Sequence, residues 1–182
     1  MREYVSPSLT KSQQIAFEHI LEFVRDNSRK VFVLHGYAGT GKTYLIGYIA
    51  NWLYTNYLGV QLLAPTGRAA RVITDKTGIP GGTIHRCIYN LDELIEHDDK
   101  RSTFKFYFQL KKSAADETRT VYIVDESSMV SDVESEDEFI RFGSGRVMKD
   151  LFEFARIGDT NQNGKVIFVG DPAQLPPVNM ST

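Results

Sequence analysis

Apolar side chains recur every three or four positions in several stretches of the chain, which predicts amphipathic helices. These stretches are residues 12–26, 44–57 and 146–156, and residues 67–78 predict a further helix. Thr10 precedes the first stretch, and Gln13 is three positions after Thr10, which is the arrangement of a helix-capping box. The pattern therefore predicts where the first helix begins as well as the face that it buries.

Short apolar runs alternate with these helices at residues 31–36, 60–66, 121–126 and 165–171. The first run, VFVLHG, is typical of a strand buried on both faces of a parallel sheet. Because strands alternate with helices, we expect an α/β fold with a parallel β-sheet flanked by helices. Residues 104–110 alternate aromatic and polar side chains instead, which predicts a half-exposed strand in a hairpin.

The length and composition of the chain fit one globular domain. The chain has 182 residues, of which 42% are hydrophobic and 24% charged, and its net charge is −2. This charge gives no overall basic field for nucleic acid, although a local patch would suffice. The single cysteine excludes an internal disulfide and fits a reducing compartment, so we expect a cytoplasmic protein. No apolar run approaches a membrane span, so no membrane partner is expected.

An acidic run, SDVESEDE, begins at residue 131. It contains few residues able to join a core, which predicts an exposed loop. We therefore expect residues 131–145 to form an acidic loop insertion within the single domain. Acidic side chains repel phosphate, so this loop is expected to point away from any nucleic acid.

The sequence GYAGTGKT at residues 36–43 follows a predicted strand and opens a predicted helix. It matches the phosphate-binding pattern G-x-x-x-x-G-K-[ST], in which glycines let several backbone N–H groups point at one anion. Lys42 can reach the β- and γ-phosphates of a nucleotide, and Thr43 can hold Mg²⁺. The alternative is a glycine-rich structural turn, which would not require this spacing. The predicted nucleotide-binding residues are Gly36, Ala38, Gly39, Thr40, Gly41, Lys42 and Thr43.

Asp125 and Glu126 follow the apolar run VYIV, so they lie at the carboxyl end of a predicted strand. Ligands of open α/β sheets bind at that edge. We expect Asp125 to hold Mg²⁺ and Glu126 to orient or deprotonate an attacking water. Two solvated acids at a strand end are the alternative interpretation, and the nearby phosphate loop makes it the weaker one.

Five segments occur in a fixed order: HGYAGTGKT, LLAPTGRAARVI, TIHR, VYIVDESSMV and GDPAQLPPV. Together they resemble the N-terminal motor domain of superfamily 1 DNA helicases of the RecD-like group, over nearly the whole chain. This resemblance implies a three-layer, RecA-like P-loop fold that uses ATP and Mg²⁺. It also implies that a second RecA-like domain follows in the complete protein and that the present chain is a fragment with little activity of its own.

The resemblance assigns further residues. Gln13 would contact adenine, although it would otherwise serve only the helix cap. Gln174 would sense the γ-phosphate and act with Lys42 and Glu126 in catalysis, and Asp171 would support the metal site. The residues implied to contact single-stranded DNA are Pro65, Thr66, Arg68, Thr83 and His85. His85 has an equally good alternative as a structural histidine with satisfied hydrogen bonds.

The function that follows is ATP-dependent translocation on single-stranded DNA, which the resemblance implies to run five-prime to three-prime. The rival interpretation is a P-loop module that binds nucleotide and a protein partner without moving on DNA. DNA-stimulated ATP hydrolysis distinguishes the two.

Overall fold

The computed structural model describes residues 9–56, 58–96, 105–112, 119–134, 139–159 and 164–174. The α-helices are α1 (Lys11–Arg25), α2 (Lys42–Thr55), α3 (Gly67–Thr77), α4 (Ile84–Ile88) and α5 (Val147–Phe154). The strands are β1 (Val31–His35), β2 (Gly59–Ala64), β3 (Gly81–Thr83), β4 (Ile95–Glu96), β5 (Phe106–Phe108), β6 (Thr120–Val124), β7 (Ile140–Phe142) and β8 (Lys165–Gly170). A 3₁₀ turn covers Ser127–Met129. Among the described helices, none is long and apolar enough to cross a membrane.

Five strands form the main sheet in the order β1-β8-β6-β2-β3, and every neighbouring pair is parallel. A helix follows β1 and another follows β2, as expected for strands that return to the same sheet through crossover connections. Parallel pairing brings the carboxyl ends of the strands to one edge. The predicted α/β fold with a parallel sheet and flanking helices is confirmed.

Two hydrophobic cores cover the two faces of this sheet. Alternate residues of β6 divide between them: Val121 and Ile123 join α1, α2 and α3, while Tyr122 and Val124 join α4 and α5. The central strands β6 and β8 are buried along most of their length. Helices, sheet and helices thus form the three layers that the resemblance implied.

The first strand, β1, departs from the prediction. It pairs with β8 on one side and lies at the edge of the sheet as the structure describes it. Phe32 and Leu34 pack against the core, whereas Val31 and Val33 are 38% and 54% exposed. The prediction of burial on both faces was wrong, because strand composition does not reveal a strand's position in the sheet.

A second, three-stranded sheet has the order β4-β5-β7. Strand β5 pairs antiparallel with β4, in agreement with the predicted hairpin, and parallel with β7. Strand β7 belongs to the predicted acidic loop, so residues 140–142 are not loop. Aromatic stacking explains the difference: the Phe142 and Phe108 rings lie 5.1 Å apart. Phe104 and residues 135–138 lie outside the described residues.

Helix α1 begins with the predicted capping box. The Thr10 hydroxyl accepts from the Gln13 amide at 3.3 Å, and the Gln13 side chain accepts from the Thr10 amide at 3.0 Å. At the other end, the Lys165 ammonium donates to the carbonyl oxygens of Phe23, Asp26 and Arg29 at 2.6–3.0 Å. Burial lowers the pKa of Lys165 to about 8, which leaves it charged at neutral pH. One cation therefore ties α1 to strand β8.

We expect Lys165→Met to lower the free energy of unfolding by about 2–4 kcal/mol, because it leaves the carbonyl groups of Phe23, Asp26 and Arg29 without this charged donor. Urea denaturation measures the effect. Lys149→Met is the matched control, since Lys149 is exposed on α5, and it should change stability by less than about 0.5 kcal/mol. A Lys165→Met protein as stable as the wild type would show that the three carbonyl contacts contribute nothing to folding.

Candidate nucleotide site

The loop between β1 and α2 curls at the carboxyl edge of the main sheet. Gly39 and Gly41 have φ angles of 79° and 81°, a region that side chains other than glycine rarely adopt. A Cβ atom at Gly41 would lie 2.5 Å from the Gln13 side-chain nitrogen, so a larger residue would also displace the Gln13 side chain from its contacts with this loop. The backbone turn that exposes N–H groups to an anion therefore depends on these glycines.

Lys42, the first residue of α2, points back into this loop. Its ammonium donates to the carbonyl oxygens of Gly36 at 2.6 Å and Tyr37 at 3.1 Å, and it lies 3.8 Å from an Asp171 carboxylate oxygen. The Thr40 hydroxyl donates to the Tyr37 carbonyl oxygen at 2.8 Å. These contacts hold the ammonium inside the loop, where a bound phosphate would replace carbonyl oxygens as its acceptor.

The open cleft beside this loop has a volume of about 510 Å³. It is lined by Ala38, Gly39, Gly41, Lys42, Thr43, Tyr44, Lys76, Asp125, Glu126, Asp171 and Gln174. The cleft therefore contains most of the residues predicted from the phosphate loop and all three predicted catalytic residues. Gly36, Thr40 and Gln13 instead line an adjoining space of about 190 Å³ on the α1 side of the loop.

Thr43 and Asp125, the predicted magnesium ligands, lie close together in the cleft. The Thr43 hydroxyl lies 3.5 Å from an Asp125 carboxylate oxygen, and Asp171 lines the same cleft. Burial raises the pKa of the Asp125 carboxyl, because the charged form loses water; Lys42 and Thr43 act in the opposite direction. Hard oxygen donors suit Mg²⁺. Across the described residues no group of three His, Cys, Asp or Glu side chains is arranged to hold a metal.

Glu126 has a strained backbone, with φ 53° and ψ 38°. Only a few per cent of residues other than glycine adopt positive φ, and such strain clusters at functional sites. The Gln174 amide donates to the Glu126 carboxylate at 2.9 Å, and the Ser128 hydroxyl donates to the Gln174 side-chain oxygen. A chain of hydrogen bonds thus orients the predicted catalytic carboxylate. Ser128 was not predicted, although its place in VYIVDESSMV, two residues after Glu126, was a signal.

Gln13 does more than cap its helix. Its side-chain nitrogen donates to the carbonyl oxygens of Thr40 and Gly41 at 3.2 and 3.5 Å, while its oxygen completes the capping box. The start of α1 is therefore clamped to the phosphate loop. A contact with adenine stays a prediction.

The predicted DNA-contacting threonines are both helix caps. The Thr66 hydroxyl accepts from the Ala69 amide at 3.2 Å, and the Thr83 hydroxyl accepts from the Arg86 amide at 3.1 Å. Each hydroxyl keeps its proton available for a phosphate oxygen. Thr66 and the exposed Arg68 line a groove of about 410 Å³, and this groove shares Thr43, Lys76, Asp125, Glu126 and Gln174 with the nucleotide cleft. Pro65, at the end of β2, is half-buried.

His85 lies apart from this groove in an aromatic cluster. Its ring meets Phe142 edge-on at 4.9 Å and Tyr89 at 5.5 Å. Burial lowers the pKa of His85, which favours the neutral ring. Tyr89 donates to Asp150 at 2.6 Å, so the cluster links α4, β7 and α5. These contacts favour the structural alternative for His85; the DNA contact stays a prediction.

Fold and site together define a P-loop nucleotide-binding protein: a parallel sheet, a phosphate loop after its first strand, and acidic residues at its carboxyl edge. A family model described as an AAA domain matches residues 8–182, and the chain belongs to this family.

Two helicases and one viral protein are similar to this chain. The ATP-dependent RecD2 DNA helicase of Deinococcus radiodurans is 30% identical over 150 residues, which are 82% of this chain and 16% of the helicase. The ATP-dependent DNA helicase Dda of Enterobacteria phage T4 is 35% identical over 78 residues, 42% of this chain and 18% of Dda. An uncharacterized protein of Acanthamoeba polyphaga mimivirus is 29% identical over 181 residues, 91% of this chain and 33% of that protein.

These relatives confirm the resemblance that the five segments indicated: the chain is a RecA-like motor domain of the superfamily 1 helicase type. The chain spans a third or less of the length of each relative.

Proposed function

We propose that this chain binds Mg-ATP and is the first motor domain of an ATP-dependent helicase that translocates on single-stranded DNA. The observation that carries the proposal is the shared wall between the nucleotide cleft and the groove at Thr66 and Arg68. Five residues, Thr43, Lys76, Asp125, Glu126 and Gln174, line both spaces. A change at the nucleotide can therefore reach the groove without passing through the rest of the protein.

At the nucleotide, the loop amides and the Lys42 ammonium bind phosphate oxygens. Mg²⁺, held by Thr43 and Asp125, would neutralise charge on the β- and γ-phosphates. Glu126 accepts a hydrogen bond from the attacking water and so directs the lone pair of the water oxygen at the γ-phosphorus. The Gln174 amide has two N–H groups, so it can hold Glu126 with one and donate to a γ-phosphate oxygen with the other. Loss of the γ-phosphate would then change the contacts of Gln174.

At the groove, the start of α3 provides an anion site. Thr66 caps the helix, the first amides of α3 point outward, and Arg68 adds a positive charge. These groups bind phosphate without reading bases, as translocation on any sequence requires. The complete protein would add the second motor domain, and a cytoplasmic location is part of this proposal.

We expect single-stranded DNA binding by this chain to be weak and salt-dependent, because few phosphate contacts are available. Arg68→Ala should weaken binding to oligo-dT and make the slope of log K against log salt shallower by about 0.7, the value of one phosphate contact on a single strand. Arg71→Ala is the control, since Arg71 is on the same helix, 85% exposed and 3.9 Å from Asp75. Fluorescence anisotropy across a salt series measures both.

Equal slopes for wild type and Arg68→Ala would remove Arg68 from the DNA path. Binding that persists unchanged at high salt would contradict an electrostatic DNA site. Nucleotide binding with no DNA binding at any salt concentration would favour the rival function, a nucleotide-dependent module for a protein partner.

A further inference from the structure

Helix α3 borders both the groove and the nucleotide cleft. Arg68, Ala69, Val72 and Lys76 recur at intervals of one to four residues and line the groove along one side. Only Lys76, in the last turn of α3, also lines the nucleotide cleft. The helix thus contributes a residue to the cleft that no pattern in the sequence indicated.

The last turn of α3 is held firmly in place. Thr77 packs against Gly47 of α2 so closely that a Cβ atom at Gly47 would lie 3.2 Å from the Thr77 methyl group. Ile73 is fully buried, and the Gly81 amide donates to the Thr74 hydroxyl at 2.9 Å. The backbone of Lys76 is therefore fixed on both sides, while its exposed side chain is long and free to turn into the cleft.

Lys76 lies at the acidic end of the cleft. Thr43, Asp125, Glu126 and Gln174 accompany it in both the cleft and the groove. Gly39, Gly41, Lys42 and Asp171 line the cleft but not the groove, so the acidic residues at the end that Lys76 borders are Asp125 and Glu126. The γ-phosphate of a nucleotide held by the loop would lie between Lys42 and Glu126, which is the end that Lys76 borders.

The described charged residues that line the cleft include more acids than bases, and the Lys76 ammonium is not paired with any of these acids. Lys42 and Lys76 are the basic residues among its described lining, against Asp125, Glu126 and Asp171. Lys42 has Asp171 as its acidic neighbour at 3.8 Å, and Asp75 is next to Arg71. Within the described part of the chain, Lys76 forms no ion pair of 4 Å or less. Its ammonium is not committed to a neighbouring carboxylate.

We propose that Lys76 is a specificity residue that binds the terminal phosphate of ATP and lets this domain distinguish triphosphate from diphosphate. The inference rests on the proposed nucleotide function. A triphosphate carries more charge at this end than ADP, so a second ammonium stabilises it selectively. Lys42 can reach the β-phosphate that both nucleotides share as well as the γ-phosphate, whereas Lys76 borders only the end of the cleft where the γ-phosphate, which ADP lacks, would lie.

The test is isothermal titration of Mg-ADP and of Mg-AMP-PNP, a non-hydrolysable ATP analogue, into wild type, Lys76→Ala and Lys76→Arg. Lys76→Ala should weaken AMP-PNP binding about tenfold, the effect of about 1.4 kcal/mol, and change ADP binding less than about twofold. Lys76→Arg should keep most of the preference because it keeps the charge. Arg71→Ala, an exposed cation on the same helix, is the control and should leave both affinities unchanged.

If Lys76→Ala weakens the binding of both nucleotides equally, or of neither, the assignment of Lys76 is overturned. Binding of the nucleotides by the wild type would still support the proposed function. A Lys76→Ala defect confined to oligo-dT binding would overturn it too and assign Lys76 to the DNA path. Wild-type protein that binds neither nucleotide would instead refute the proposed function itself.

Discussion

Lys42→Ala is expected to reduce binding of Mg-ATP by this chain by at least about 100-fold, because charge-assisted phosphate contacts are the strongest hydrogen bonds available in the cleft. The Lys42 ammonium already lies inside the loop, 2.6 Å from the Gly36 carbonyl oxygen, so little movement brings it to a phosphate. Equilibrium titration with a fluorescent ATP analogue measures the loss. Lys149→Ala is the control, since Lys149 is on α5, which packs against the opposite face of the sheet.

Unchanged affinity in the Lys42→Ala protein would refute the phosphate-loop assignment. Because Lys42 is only partly buried and its partners are carbonyl oxygens of the loop, the variant is expected to fold. A thermal melt of each variant checks this directly. A lower melting temperature together with lost binding would call for Lys42→Arg, which keeps the charge and should restore part of the affinity.

Glu126→Gln is expected to leave Mg-ATP binding intact and to slow hydrolysis by about 100-fold or more, the usual range for a general base being 10²–10⁴. The substitution keeps the size of the side chain and an oxygen that can accept from Gln174, but removes the carboxylate that accepts the proton of water. Single-turnover phosphate release measures the step. Ser128→Ala should give a smaller reduction, since it only releases the Gln174 side chain.

The wild-type rate is itself expected to be slow. An arginine finger contributes roughly 10³–10⁵ to phosphoryl transfer in many nucleotide hydrolases. No arginine of the described residues lines the nucleotide cleft, and Arg68 lines only the neighbouring groove. Rapid hydrolysis by residues 1–182 alone, stimulated by oligo-dT, would contradict the idea that a second motor domain completes the site. Equal rates for wild type and Glu126→Gln would remove Glu126 from catalysis.

Local patterns predicted much of the site. Thr10 and Gln13 form the capping box that their spacing indicated. Gly39 and Gly41 adopt the positive φ angles that favour glycine, and Asp125 and Glu126 follow a buried strand as expected. The capping roles of Thr66 and Thr83 were not predicted, although they are equally local, since a threonine directly before a helix is itself a capping signal.

Other features depended on partners far away in the chain. Strand β1 lies at the sheet edge because β8, and not β2, is its described neighbour. Residues 140–142 form a strand because they pair with β5 and because the Phe142 ring stacks on the Phe108 ring. His85 is half-buried because Phe142 and Tyr89 enclose its ring.

The sequence by itself determined most of the helices and main-sheet strands, the phosphate loop and the positions of Asp125 and Glu126 at a strand end, because glycine sterics, helix capping and side-chain periodicity act over a few residues. Only the tertiary structure decided which segments share a cleft. It joined Gln174 to Glu126, clamped Gln13 to the Gly41 carbonyl and brought Lys76 to the acidic end of the cleft. The order of the strands and the contacts between helices, such as Thr77 on Gly47, decide which residues line the cleft together. The physical reason is that close packing between segments far apart in the chain allows only one arrangement of the helices and strands.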